Sequence, residues 1–441
     1  MHVDPMYARR TMYGHCVVHG IALLLSALDK AFDQPVKITE LKTVFSGAVL
    51  IDDEVGFELS PYEDQYLKIC LWVRTASVAT ITVKYQLVDD VDHCGLSNVR
   101  PMEGKPKQLA VEQIKNAAGS HSLMFERSDL SALFPNLLDK IPDWLIGTLL
   151  SLTRIVGMEC PGLNSIFAEI KLEFIESEQF INMLRWDVKR IDPRWGLVTV
   201  KLEAPTINGN IKAFIRPEPA SQPSILDIAD KISDGQFSNR RALIIGGSRG
   251  VGEVCSKILA AGGADVKFSY HQGEAEAQKI VDEIVAKGFK AQAFQYDVIA
   301  DLDKLIQKIG IGWHPTHIYY FATPAIFLGK KGEFQAPLFA KFCRYYVDGF
   351  VQLITQITSV NDDPVQVLYP STVALDELPD GMLEYCAAKA AGETAASAMA
   401  KEKVNLFVDV VRLPRIDTDQ TKSIHQVATV NVVEILIKSI G

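Results

Sequence analysis

The chain has 441 residues, 48% of them hydrophobic and 22% charged, and carries a net charge of −9. That length suits two or three globular domains, and the negative balance argues against nucleic acid as a partner. Seven scattered cysteines without paired metal-ligand spacing point to reduced thiols and no metal site; with no signal peptide at the start, the expected location is cytoplasmic.

Residues 1–20 read Met-His-Val-Asp-Pro-Met-Tyr-Ala-Arg-Arg-Thr-Met-Tyr-Gly-His-Cys-Val-Val-His-Gly and open an apolar helix over 21–28. Asp4 is placed to cap the turn after it, and His15 and His19 suit structural or helix-capping roles. Alternating or apolar runs at 41–49, 54–60, 66–76 and 77–87 predict an antiparallel sheet wrapped around that helix. The pattern then repeats: an apolar helix over 142–157, followed by strands at 165–174, 184–191, 196–204 and 211–216. The 142–157 stretch is only sixteen residues long and contains Asp143 and Arg154, so a membrane span is not expected. Pro217, Pro219 and Pro223 then mark a stiff linker.

In the C-terminal half, Arg-Ala-Leu-Ile-Ile-Gly-Gly-Ser-Arg-Gly-Val-Gly at 241–252 is an apolar strand running into a glycine turn and a helix. This order brings the backbone close to a pyrophosphate at a helix N-terminus. The next strand ends in Tyr270 and His271 with no carboxylate, while Arg249 lies in the turn. Far downstream, Tyr385 and Lys389 stand four apart on a predicted helix, so they share one face and an ammonium there favours a phenolate.

The glycine spacing with Tyr385-Cys-Ala-Ala-Lys389 resembles the short-chain dehydrogenase/reductase family. The resemblance implies that Tyr385 is the general acid/base, that Lys389 holds the nicotinamide ribose, and that Ser371 completes the site, with Thr372 as the alternative if the loop is one residue shorter. It places cofactor contacts at Gly246, Ser248, Arg249, Gly250, Val251, Gly252, Tyr270, Asp297, Val298 and Lys389, with Asp297 at the adenine amino group. Arg249 without an opposing acid favours NADPH over NADH. Where the family has Asn-Asn-Ala-Gly, this chain has Tyr320-Phe-Ala-Thr323, then Pro324. The family's relay asparagine is assigned to Asp348.

Residues 2–20 resemble the MaoC-like, (R)-specific enoyl-CoA hydratases through His2, Asp4, Ala8, Gly14 and His19-Gly20. The resemblance implies His2 as the catalytic histidine and the Gly20 amide as oxyanion donor. The family's aspartate, five residues before the histidine, would fall before Met1. Either the start lies inside the motif or this half-site is dead; His2, as a terminal residue, is expected to fray.

Together these readings give an α+β double hot-dog region followed by an α/β Rossmann domain with a doubly wound parallel sheet. The expected boundaries are a first hot-dog unit at 1–105, a second at 106–216, a linker at 217–239 and the reductase at 240–441. The implied activity is bifunctional: NADPH-dependent 3-oxoacyl reduction, and dehydration of the (3R)-3-hydroxyacyl product or the reverse hydration. Its substrates would be thioesters of CoA or acyl carrier protein, and its assembly a homodimer or larger homo-oligomer. The alternative is a reductase alone, with the hot-dog half binding acyl groups or dimerising.

Overall fold

The structure is a computed structural model describing all residues except 64, 92, 94, 95, 99–103, 176–181, 302, 303, 361, 425 and 426. The chain divides into two compact units. One comprises Met1–Ala8, His15–Glu218 and residues 423–424; the other comprises Arg9–Gly14, Pro219–Lys422 and Val427–Gly441.

The first unit is a nine-stranded sheet. Its strands are β1 (Val36–Phe45), β2 (Val55–Glu63), β3 (Tyr66–Val73), β4 (Ala76–Leu87), β5 (Ala118–Ser122), β6 (Ser165–Phe174), β7 (Met183–Asp192), β8 (Leu197–Ala204) and β9 (Ile207–Ile215). They lie in the order β2-β3-β4-β1-β6-β9-β8-β7-β5. All pairings are antiparallel. The seam is β1 against β6, with Thr43 opposite Ile170, so the two repeats in the sequence share one sheet.

Alternation puts Leu67, Ile69, Leu71 and Val73 of β3 on the buried face. That face meets two apolar helices, α1 (Gly20–Ala31) and α2 (Asp143–Arg154), in one core. Asp143 is tolerated there because Arg127 Nη1 lies 2.6 Å and His93 Nδ1 3.1 Å from its carboxylate.

Several expected boundaries move, for identifiable reasons. The strand read at 41–49 is Val36–Phe45: Val49 leaves the sheet, and its carbonyl accepts from Val18 N at 2.7 Å. The division at 76/77 gives way to a hairpin closing Val73 on Ala76 around Arg74, whose φ is +55°. The strand read at 211–216 starts at Ile207, which pairs with Ala204 across a two-residue turn. The helix read to 157 loses α geometry after Arg154 and continues as a π turn over Ile155–Glu159.

The second unit is a parallel sheet of β10 (Arg241–Ile245), β11 (Asp265–Tyr270), β12 (Lys290–Gln295), β13 (His317–Tyr320), β14 (Val365–Thr372) and β15 (Leu406–Leu413). Their order, β12-β11-β10-β13-β14-β15, reverses between β10 and β13. Helices α3 (Gly250–Ala261), α4 (Glu274–Val285), α5 (Gly349–Ser359), α6 (Leu383–Glu402) and α7 (Val432–Ile440) follow these strands in the chain. Packing forms separate apolar cores on the sheet's two faces, which is the doubly wound α/β arrangement. Among the described residues, no helix is long and apolar enough to cross a membrane.

The segment 217–239 is more than a linker. Ser224 caps a short helix, Ile225–Ala229, by accepting from Asp227 N, and Ile225, Ile228 and Phe237 are buried in the core of the α/β unit. Phe237 packs against Gly262, where a Cβ would lie 2.3 Å from its ring. Phe237→Ala is expected to destabilise the α/β unit by about 3–5 kcal/mol through cavity formation, measured by denaturant titration. A true linker residue would change stability hardly at all.

Candidate active site

Strand β10 ends at Gly246, whose φ of +84° lets the chain turn where a Cβ would stand 3.0 Å from Ala322 N. Helix α3 then returns so closely that a Cβ on Gly252 would lie 2.1 Å from the Gly246 carbonyl oxygen. Only glycine permits this approach, and it leaves the first amides of α3 free to face an anion. Ser248, Arg249, Gly250 and Val251 span the same turn, with Gly250 facing Thr418. At the end of β11, beyond Tyr270, His271 Nδ1 stands 3.5 Å from Asp297 Oδ2, and Val298 is buried beside it in sequence. Asp297 Oδ1 accepts from Ile299 N at 2.8 Å. These groups flank the reversal of strand order, where open α/β sheets bind nucleotides. The backbone cradle and the adjacent cation fit a phosphorylated dinucleotide.

Tyr385 and Lys389 are both buried, one turn apart on α6. Lys389 Nζ donates to Pro370 O at 2.7 Å and sits 4.1 Å from the Tyr346 ring centroid and 5.3 Å from that of Tyr369. Burial lowers its pKa to about 7, partly opposed by the Glu393 charge. Burial raises Tyr385 to about 12, opposed by a hydrogen bond with Thr372. The expected lowering of the phenol by Lys389 is therefore not what dominates here. The apolar setting, with Phe342 and Tyr346 rings 5.8 Å away, keeps Tyr385 protonated.

Two assigned positions have surroundings that differ from those expected. Ser371 and Thr372 are consecutive on β14, so their side chains take opposite faces. Thr372 is the one bonded to Tyr385. Ser371 is buried, with its hydroxyl toward Glu393 and not toward Tyr385. Asp348 is exposed, on the outside of a π turn over Arg344–Asp348. Tyr346, fully buried and 2.6 Å from Thr323 Oγ1, takes the place beside Lys389. The signal was available in the spacing Phe342, Tyr346, Phe350: one buried face, with Asp348 off it. Cys386, next to Tyr385, is a buried packing residue whose thiol donates to Ala374 O.

In the first unit, His2 is held rather than frayed. Its Nδ1 contacts Val17 O at 2.7 Å, and its ring lies 4.6 Å from that of His19. His19 caps α1 by accepting from Ile21 N at 3.2 Å, which places Gly20 at the helix start, where a Cβ would press on the Phe45 ring at 3.2 Å. Asp4 accepts from Met6 N and Tyr7 N, as a turn cap does. His15 is exposed. The structure thus brings His2, His19 and Gly20 together, with a carbonyl rather than a carboxylate against His2.

Burial, reinforced by His2, lowers His19 to about 4 from its usual 6.5. The unfolded chain binds its proton near 6.5 and the folded one only near 4, so this contribution to stability is lost as pH falls through that window. His19→Asn keeps a capping acceptor but removes the titration. Its acid-unfolding midpoint, followed by circular dichroism, should move to lower pH than that of the parent chain.

The profile of the short chain dehydrogenase family matches residues 240–428. The cyclic-di-GMP-binding biofilm dispersal mediator protein of Escherichia coli is 29% identical over 196 residues, which is 42% of this chain and 76% of that protein. The short-chain dehydrogenase/reductase homolog YusS of Bacillus subtilis is 38% identical over 73 residues, 16% of this chain and 67% of that protein. Other curated relatives are matched over only 25–29% of their own length. Among solved structures, a short chain dehydrogenase from Burkholderia cenocepacia in complex with NADP is 26% identical, with 42% of this chain and 78% of that chain covered at a TM-score of 0.37.

Proposed function

The C-terminal half of this chain belongs to the short-chain dehydrogenase/reductase family, and from that premise we propose an NADPH-dependent reductase of 3-oxoacyl thioesters, of CoA or acyl carrier protein, coupled to an acyl-binding hydratase-like unit. The observation that carries the reductase reading is buried Tyr385 beside buried Lys389, with half-buried Thr372 against the Tyr385 hydroxyl, in the same unit as the glycine cradle.

NADPH, when bound, supplies a hydride equivalent for the 3-oxo carbon. The protein does the rest. Thr372 orients the carbonyl oxygen and the Tyr385 hydroxyl, and Tyr385 donates the proton that turns that oxygen into the 3-hydroxyl. A phenol raised to about 12 is protonated at neutral pH, which suits the donor role. Lys389 would hold the ribose hydroxyls of the bound dinucleotide, and its pKa near 7 would let it pass a proton toward the spent phenolate. Tyr346 fills the position from which the family's asparagine holds a relay water, so proton resupply here runs past an aromatic ring and Thr323.

For the first unit we propose a double hot-dog. Two apolar helices packed on one antiparallel sheet, joined at a β1/β6 seam, support that reading. The reductase's (3R)-hydroxyacyl product is the substrate of an (R)-specific dehydratase, so linking the two raises the local concentration of the shared intermediate. His2 would move the proton and the Gly20 amide would hold the thioester oxyanion. The contact of His2 with a carbonyl favours a narrower second reading, in which this unit binds and dimerises but does not turn over.

Tyr385→Phe is expected to remove most 3-oxoacyl-thioester reduction while leaving NADPH binding intact. Thr372→Val should cost about 10²–10⁴-fold, the range for a lost acid/base partner, with Ser371→Ala close to wild type. Steady-state kinetics decide; normal turnover in Tyr385→Phe refutes the reductase. Residues 1–441 should hydrate crotonyl-CoA little or not at all, because His2 lacks a carboxylate partner. Vigorous hydration abolished by His2→Gln would instead establish the bifunctional reading.

A further inference from the structure

Residues Arg9–Gly14 fold with the α/β unit, although the residues on either side of them belong to the antiparallel one. This short segment delivers two arginines to the corner between the glycine turn and the start of α4. The Arg9 guanidinium packs on Gly273 so tightly that a Cβ there would lie 2.2 Å from Nη2. It pairs with Glu276 in the first turn of α4 at 2.8 Å, while its Nε is buried with no acceptor among the described residues. Its carbonyl accepts from Arg249 Nη1 at 2.9 Å. Arg10 Nε lies 3.0 Å from Asp419 Oδ2, and Arg10 Nη2 donates to Ala220 O.

Three arginines therefore converge on one corner, and among the described residues the carboxylates paired with them are Glu276 and Asp419. Arg249 bears the consequence: burial first, then the charge of Arg9, push its pKa down, with Asp419 only partly compensating. Withdrawing like charges from water without matching anions is costly. An excess of partly shielded planar cations, one with an unused N–H, is chemistry that a phosphate group relieves. Location says which phosphate. The free amides of α3 suit a pyrophosphate, whereas Arg9 sits beyond the end of β11, where the ribose of a dinucleotide lies in this sheet topology. The strand itself ends in Tyr270 and His271 without a carboxylate, and Glu274, just beyond, is engaged with the Tyr270 hydroxyl.

We infer that Arg9 and Arg249 together form the recognition site for the 2′-phosphate of the dinucleotide, so that a segment from the far N-terminal end of the chain sets cofactor preference. The inference rests on the dinucleotide reading above, and the test separates the two. Calorimetric titration of the full chain with 2′,5′-ADP and with 5′-AMP measures the 2′-phosphate contribution without any turnover. The parent chain should bind 2′,5′-ADP more tightly. Arg9→Ala should weaken 2′,5′-ADP by about tenfold or more, as expected for a lost charge-assisted hydrogen bond, while 5′-AMP changes by less than about twofold. Glu276→Gln releases Arg9 from its carboxylate and should tighten 2′,5′-ADP; a merely structural Arg9–Glu276 pair would instead weaken both ligands. Equal losses for both ligands in Arg9→Ala, or tighter 2′,5′-ADP binding because the segment obstructs the site, would overturn the inference and leave the dinucleotide reading standing. If the parent chain binds neither ligand, both fall.

Discussion

Lys389 places an amine in the interior of the α/β unit, and the surrounding residues are arranged around the cost of doing so. Its hydrogen bond goes to Pro370 O and its remaining surface lies against the faces of Tyr346 and Tyr369. Aromatic faces attract a cation but cannot replace water fully, which is why the amine loses its proton near 7. The rings are held in turn. Tyr320 and Tyr369, from neighbouring strands β13 and β14, direct their hydroxyls to the carbonyls of Tyr345 and Tyr346 at 2.6 and 3.0 Å. A π turn at Arg344–Asp348 leaves those carbonyls off the regular α-helical ladder and able to accept. Gly392 and Gly349 complete the arrangement, because a Cβ would stand 1.8 Å from the Tyr369 hydroxyl in the first case and 2.9 Å from that of Tyr320 in the second. The amine thus sits in an aromatic enclosure.

The glycine turn obeys a related constraint of approach. Gly246 and Gly252 bring α3 down onto β10, and the free amides this exposes need an anion. Cations collected around that turn come from distant parts of the chain, Arg9 and Arg10 from one end and Arg249 from the turn itself. Their nearest counter-charges, Glu276 and Asp419, are fixed by ion pairs at 2.8 and 3.0 Å. Electrostatics at this edge of the sheet thus depends on chain topology as much as on the local motif.

The antiparallel unit solves a different problem with similar economy. Two helices with apolar faces need one continuous surface to cover them, and the β1/β6 seam supplies it. At the start of α1, the half-buried His19 is both cap and neighbour to His2, which contacts Val17 O.

Local pattern alone determined much of this protein. The strand–glycine–helix at 241–252, the pairing of Tyr385 with Lys389, the two apolar helices and most strands follow from periodicity and from glycine's unique steric freedom, which act over a few residues. Tertiary structure decided what periodicity cannot. It turned Thr372 toward Tyr385 and Ser371 toward Glu393, because neighbouring residues of a strand take opposite faces of a sheet. It set Tyr346 against Lys389 and left Asp348 exposed, because a π turn changes which side chains point inward. It drew 219–239 into the α/β core, since burial of Ile225, Ile228 and Phe237 depends on a partner surface remote in sequence. It also brought Arg9 to Arg249 across 240 positions of chain, a proximity that no local pattern encodes.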